Sequence, residues 1–122
     1  MAKQKNKGIR KMQLITTFKM GYRIVGNEVQ DANGNSMKLY ASDRYPGIQV
    51  MINGSAAFIP AHRLAAYQKS QDKMFKKGML VRHLNDDKND FRLENIEIGT
   101  HADNINDWLR NKATRALAAQ TV

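Results

Sequence analysis

One uninterrupted stretch, Val81 to Asp107, constrains the fold more than any other: VRHLNDDKNDFRLENIEIGTHADNIND. Met79-Leu80-Val81 reads as a short strand that leads into Arg82 and His83. Asn85 to Asp90 is polar and acidic, hence a loop. Leu93, Ile96 and Ile98 suggest a second brief strand. Gly99-Thr100 opens a helix, with Thr100 as cap and Asp103 three residues on for a capping-box exchange. The result is a ββα unit over about residues 79–118. Its polar side chains His83, Asn95 (twelve positions on) and Asn104 (twenty-one on) are placed to converge in one cleft.

The residues upstream carry strand and turn signals. Tyr22 to Val25 is β-prone, and Asp31 to Asn35 contains an Asn-Gly pair suited to a tight hairpin. Met37 to Ala41 is the expected returning strand, and Tyr45-Pro46-Gly47 the next turn. Ile48 to Ile52, Asn53-Gly54 and Ala57 to Ile59 form a second strand–turn–strand pattern. Helical periodicity begins near Ala61, with Leu64, Ala65 and Tyr67 on the apolar face, and Lys76-Lys77-Gly78 ends it. The last helix is expected from His101 to about Ala118, with Ile105, Trp108, Leu109 and Ala116 inward. The fold class is therefore α+β: an N-terminal antiparallel sheet and a helix, then the ββα unit, as one domain over 13–122 behind a flexible basic tail at 1–12.

Charge adds a partner. Twenty Lys and Arg oppose eleven Asp and Glu, for a net +9. Residues 1–27 carry Lys3, Lys5, Lys7, Arg10, Lys11, Lys19 and Arg23 and no acid, whereas seven of the eleven acids lie within 86–107. A basic excess of this size points to a polyanion, most often nucleic acid. The acidic patch suggests a cation site or a solvated loop and helix face. The absence of cysteine excludes disulfides and Cys-based zinc sites. No apolar run reaches membrane-span length, and the basic N-terminus lacks a signal-peptide core. A cytoplasmic protein with no membrane partner is expected.

The pieces VRHLNDDKND, RLENIEIGT and HADN resemble, in order and spacing, the motif of the HNH endonuclease family within the ββα-metal nucleases. IPAHRLAAY is similar to the segment preceding that motif in bacteriophage HNH proteins, including homing endonucleases, and the likeness spans roughly residues 45–108. The resemblance implies metal-dependent hydrolysis of DNA phosphodiesters, leaving a 3′-hydroxyl and a 5′-phosphate, and a bacterial host's cytoplasm as the setting. It implies that His83 is the general base, that Asn95 holds the His83 ring by a hydrogen bond, and that Asn104 binds a divalent cation, Mg²⁺ or Mn²⁺. The chemistry agrees: a neutral imidazole accepts a proton near neutral pH, and a hard cation prefers oxygen ligands.

One departure stands out. Many family members place Asp, Asn or His immediately before the base, and this chain has Arg82, which cannot ligate a metal. Two readings follow. Either Asn104 is the sole protein ligand and Arg82 contacts a phosphate, or the site is degenerate and the protein binds DNA without cutting it. Lys3, Lys5, Lys7, Arg10 and Lys11 are expected to contact DNA phosphates in either case. His62 reads as a structural histidine packing its helix on the sheet, with a second catalytic group or a phosphate contact as the other reading. His101 reads as solvent-facing, and Trp108 as core. A calcium loop starting at Asp86 is rejected, because Lys88 and Phe91 occupy positions three and six. Monomer and homodimer both remain open.

Overall fold

The Asn53-Gly54 pair sets the main hairpin. Both residues have positive φ, 52° and 80°, as a two-residue turn of the mirror-image type requires. The turn joins β4 (Tyr45–Ile52) to β5 (Ser55–Pro60), from Ile52 opposite Ser55 to Gly47 opposite Pro60. β3 (Tyr40–Ser42) pairs along the other edge of β4. Ile48 and Val50 point into the core while Gln49 and Met51 face out, the alternation of a half-buried strand. The computed structural model describes residues 2–42 and 45–120, excepting the side chains of residues 2–7 and 42.

Tyr45-Pro46-Gly47 is strand rather than the expected turn. β5 stops opposite Gly47, so Pro46 lies past its end, where a missing N–H is tolerated. Gly47 serves close packing, since a Cβ there would collide with the Ile59 carbonyl and the Phe58 ring. Nearer the N-terminus, β1 (Arg23–Val25) and β2 (Glu28–Gln30) form their own hairpin. The Asp31–Asn35 turn forms around Asp31 Oδ1, which accepts from the Asn33 and Asn35 N–H groups, both at 2.9 Å. The expected Met37–Ala41 strand shrinks to Tyr40–Ser42, with a lone bridge between Gln30 and Ser36.

Residues 1–12 were expected as a tail. From Ala2 the backbone is helical, and α1 runs Ala2–Lys19 without a break. Its sequence lacks proline and is rich in Lys, with Gln, Arg, Leu and Met besides, all good helix formers. Its later turns bury Leu14 and Thr17 and set Phe18 edge-on to Tyr67, with ring centroids 5.2 Å apart.

Tyr67 belongs to α2 (Ala61–Ser70), followed by a 3₁₀ turn, Gln71–Phe75. The expected face is correct and broader than Leu64, Ala65 and Tyr67, since Ala61 and Ala66 are buried as well. α2 packs on α1, on β1 and β4, and on β7 (Ile96–Gly99). β7 pairs antiparallel with β6 (Leu80–His83), and α3 (His101–Gln120) follows. Among the described residues, no helix is long and apolar enough to cross a membrane.

The orientation of α3 departs from expectation. Ile105, Trp108 and Leu109 are 44%, 46% and 50% exposed, Ala116 is exposed, and the buried residue is Asp107. The stripe facing the hairpin is Asp103, Asp107 and Asn111, because what α3 meets there is a guanidinium and a carbonyl rather than an apolar surface. Leu64→Ala is therefore expected to cost about 2–5 kcal/mol, and Trp108→Ala less than about 0.5 kcal/mol, in urea unfolding. Equal losses would return Trp108 to the core.

Candidate active site

The β6–β7 hairpin aligns Arg82 with Glu97 and His83 with Ile96. Just past His83, the backbone turns through Leu84 to Arg92, and this loop is built from side-chain amides and carboxylates. The Asn95 amide sits at its centre, buried and fully used. Its Nδ2 donates to Asn85 Oδ1 at 2.9 Å and to the Asp90 carbonyl at 2.8 Å, and its Oδ1 accepts from the Asn85 N–H at 3.0 Å. Asn85 Nδ2 in turn donates to Asp90 Oδ2. From the first hairpin, Asn27 accepts from the Phe91 N–H and donates to the Asn89 carbonyl. This corrects the expected role of Asn95: its amide holds the loop that follows His83, not the His83 ring.

The ring of His83 is held by other rings. His62, in the first turn of α2, stands 5.2 Å from it, centroid to centroid. Tyr45, at the start of β4, lies 4.4 Å from His62 and 5.9 Å from His83. Lys88 Nζ caps the Tyr45 ring at 5.4 Å. Within this stack His83 Nε2 and His62 Nδ1 are buried and have no hydrogen-bond partner among the described residues. Burial pushes the His83 pKa below its ordinary 6.5, a shift opposed by Asp87, Asp90 and Asp86 and reinforced by Lys88. Burial, with His83 and Arg63 nearby, drives His62 down to about 3. Both rings are therefore neutral at neutral pH. Sequence reasoning missed Tyr45, hidden by the turn reading of Pro46, and weighed His62 as a packing residue against a second catalytic group or a phosphate contact without foreseeing its contact with His83.

Arg82 is engaged rather than free for phosphate. Its Nε and Nη2 donate to Asp107 Oδ2 and Oδ1 at 2.7 and 2.9 Å, in a two-pronged pair that is mostly buried. Gly99 makes room for it, since a Cβ there would strike the Arg82 side chain and Asp103. The capping box forms as expected: the Thr100 N–H donates to Asp103 Oδ2, and the Asp103 N–H donates to Thr100 Oγ1. From α3, Asn111 and Arg110 both donate to the Leu84 carbonyl.

Asn104 is exposed in the first turn of α3, and His101 beside it is also exposed. The Asn104 backbone N–H bonds the Thr100 carbonyl, and its side chain makes no hydrogen bond among the described residues. Among those residues, no three His, Asp or Glu gather as a metal cage. Asp107 is occupied by Arg82 and Asp103 by Thr100. The donor set thus fits a hard cation held by one protein oxygen, Asn104 Oδ1, with water or substrate oxygens completing the shell. Arg82 does not oppose this as a bare charge, because Asp107 neutralises it. Of the expected DNA contacts, Arg10 and Lys11 are exposed on α1, and the side chains of Lys3, Lys5 and Lys7 lie outside the described residues.

The loop carboxylates give a pH signature. The Arg92 guanidinium holds Asp90 down to about 2, and Arg82 holds Asp107 below its ordinary value. Such depressed groups stabilise the fold above about pH 4, and that stability is lost as the pH falls toward 2. Denaturant midpoints should drop across this window, and less steeply in Asp90→Asn. An identical acid slope in the two proteins would contradict the pairing.

Residues 60–105 match the family model for HNH endonucleases. No curated protein matches the chain. Among solved structures, the fold is similar to one described as DNA binding and cleavage by the HNH homing endonuclease I-HmuI, at 19% identity and a TM-score of 0.53. The likeness covers 83% of this chain and 60% of that one, so this chain spans only about 60% of its length. The segment over residues 60–105, holding α2, the β6–β7 hairpin and the start of α3, is thus what matches the HNH endonuclease family model, and the fold around it is similar to that of an HNH homing endonuclease.

Proposed function

We propose that the chain is a DNA endonuclease in which His83 is the general base, Asn104 the protein ligand of a divalent cation, Mg²⁺ or Mn²⁺, and Asn95 the residue that fixes the loop behind the base. The observation carrying this reading is the buried, unpartnered Nε2 of a neutral His83 at the end of β6. A buried nitrogen without a partner is costly unless something uses it, and a reacting water is a fitting user. The HNH model match and the homing-endonuclease likeness support DNA as the substrate.

In the proposed step, His83 takes a proton from water as the water oxygen bonds to phosphorus. The bond from phosphorus to the 3′ oxygen breaks, and that oxygen is protonated from solvent. The ends left are a 3′-hydroxyl and a 5′-phosphate. The cation, when bound, supplies charge stabilisation at the phosphate oxygens. Asn104 orients it, and the Arg82–Asp107 pair fixes α3 on the hairpin so that Asn104 keeps its place relative to β6. Arg10 and Lys11 on α1, with Arg110, Lys112 and Arg115 on α3, provide exposed cations for the DNA backbone. The three α3 residues escaped the sequence reading, which weighed the helix by its apolar residues.

A second reading also has an observation behind it. With Arg82 locked to Asp107 and no cluster of three His, Asp or Glu among the described residues, the site also suits a protein that binds DNA without cutting it.

Supercoiled plasmid separates the two. With Mg²⁺ or Mn²⁺ the protein should nick it, and His83→Ala should lower the rate by about 10²–10⁴ while leaving DNA affinity intact. Asn104→Ala should raise the divalent concentration needed. Tight binding with no nicking under any divalent cation would establish the non-catalytic reading. Undiminished cleavage by His83→Ala would remove His83 as the base.

A further inference from the structure

Among the described residues no hydrogen bond orients the His83 ring: Asn95 is spent on Asn85 and Asp90, and Nε2 has no partner. A base must nevertheless hold its ring plane, because small misplacements cost rate. What touches the ring is a pair of side chains from two other elements, His62 of α2 and Tyr45 of β4. The His62 ring is tilted 41° to His83 and 30° to Tyr45, so the three form a canted stack. On the solvent side, Lys88 sits over Tyr45.

We propose that His62 and Tyr45 are positioning residues which hold the His83 ring by packing, leaving its Nε2 uncommitted to any protein partner. This rests on His83 being the base. His62 meets His83 through its ring face, and its Nδ1 has no hydrogen-bond partner among the described residues. A neutral imidazole in a dry stack is a flat apolar plate with the footprint of the site. The groups facing this stack are Asp86, Asp87, Asp90 and Lys88 from the loop and Arg63 from α2. The three acids favour a protonated His83, and burial, to which the stacked rings contribute, overrides them. Removing the plate should admit water and let the acids prevail.

The test pairs His62→Ala with His62→Phe. Ring-proton NMR of His83 against pH should show its titration rising toward 6.5 in His62→Ala and staying below it in His62→Phe. In plasmid cleavage, His62→Ala should lower kcat by roughly 10-fold to 10²-fold with KM unchanged, and His62→Phe should recover most of it. If His62→Ala does not fold, Tyr45→Ala opens the other side of the stack and is read in the same way. An unchanged His83 titration and rate in the alanine variant would overturn the proposal. So would a His62→Phe protein as impaired as His62→Ala, which would assign the role to the imidazole nitrogens. The NMR measurement needs no turnover. A chain that cuts no DNA, yet shows the shift in His62→Ala alone, refutes the nuclease reading and supports the ring-packing one.

Discussion

Helix α2 must satisfy two partners at once, and the candidate site depends on its doing so. Toward the N-terminal hairpin, Gln68 both accepts from the Ile24 N–H and donates to the Ile24 carbonyl, like an extra strand. Toward the ββα unit, Lys69 Nζ donates to the carbonyls of Leu93 and Ile96 and to Glu97. One turn before these polar ties lie Leu64, Ala65 and Ala66, buried almost completely. Small alanines let neighbouring backbones approach closely, and one ammonium serves three oxygens at the junction. The helix so fixed brings His62 against His83, although the two belong to elements separated by the turn at Gly78.

The ββα unit divides its polar residues between holding and acting. Asn95, Asn85, Asp90 and Arg92 saturate one another, which makes an otherwise polar loop rigid enough to carry a precise strand end. Arg82 and Asp107 do the same between hairpin and helix. Each pair brings its own desolvation cost, and the value of such a pair lies as much in geometry as in net stability. Among the described residues, the buried side-chain polar atoms left without a partner are two ring nitrogens, those of His62 and His83.

Local signals in the sequence read out well. The Asn53-Gly54 hairpin, the Thr100–Asp103 cap, β6, β7 and the start of α2 all follow from turn chemistry, capping and short-range periodicity, which need no distant partner. The errors fall where a distant partner decides. Pro46 looks like a turn until β5 is seen to end opposite Gly47. Ile105, Trp108 and Leu109 look like core until Arg82 is seen to claim the inward face of α3 for Asp107. Asn95 has the spacing to meet His83, and the nearer Asn85 and Asp90 take its amide instead. Tyr45 and His62 lie 38 and 21 positions before His83, and no local pattern announces that the three rings meet.

The proposed chemistry turns on a neutral His83 taking the proton in DNA cleavage. Its most direct test is the pH dependence of single-turnover cleavage at saturating divalent cation. The account predicts a rate that climbs with pH through one limb centred below 6.5 and then levels off, since the base is active when deprotonated. A rate that falls across that range, or a limb that persists unchanged when His83 is replaced, would contradict it.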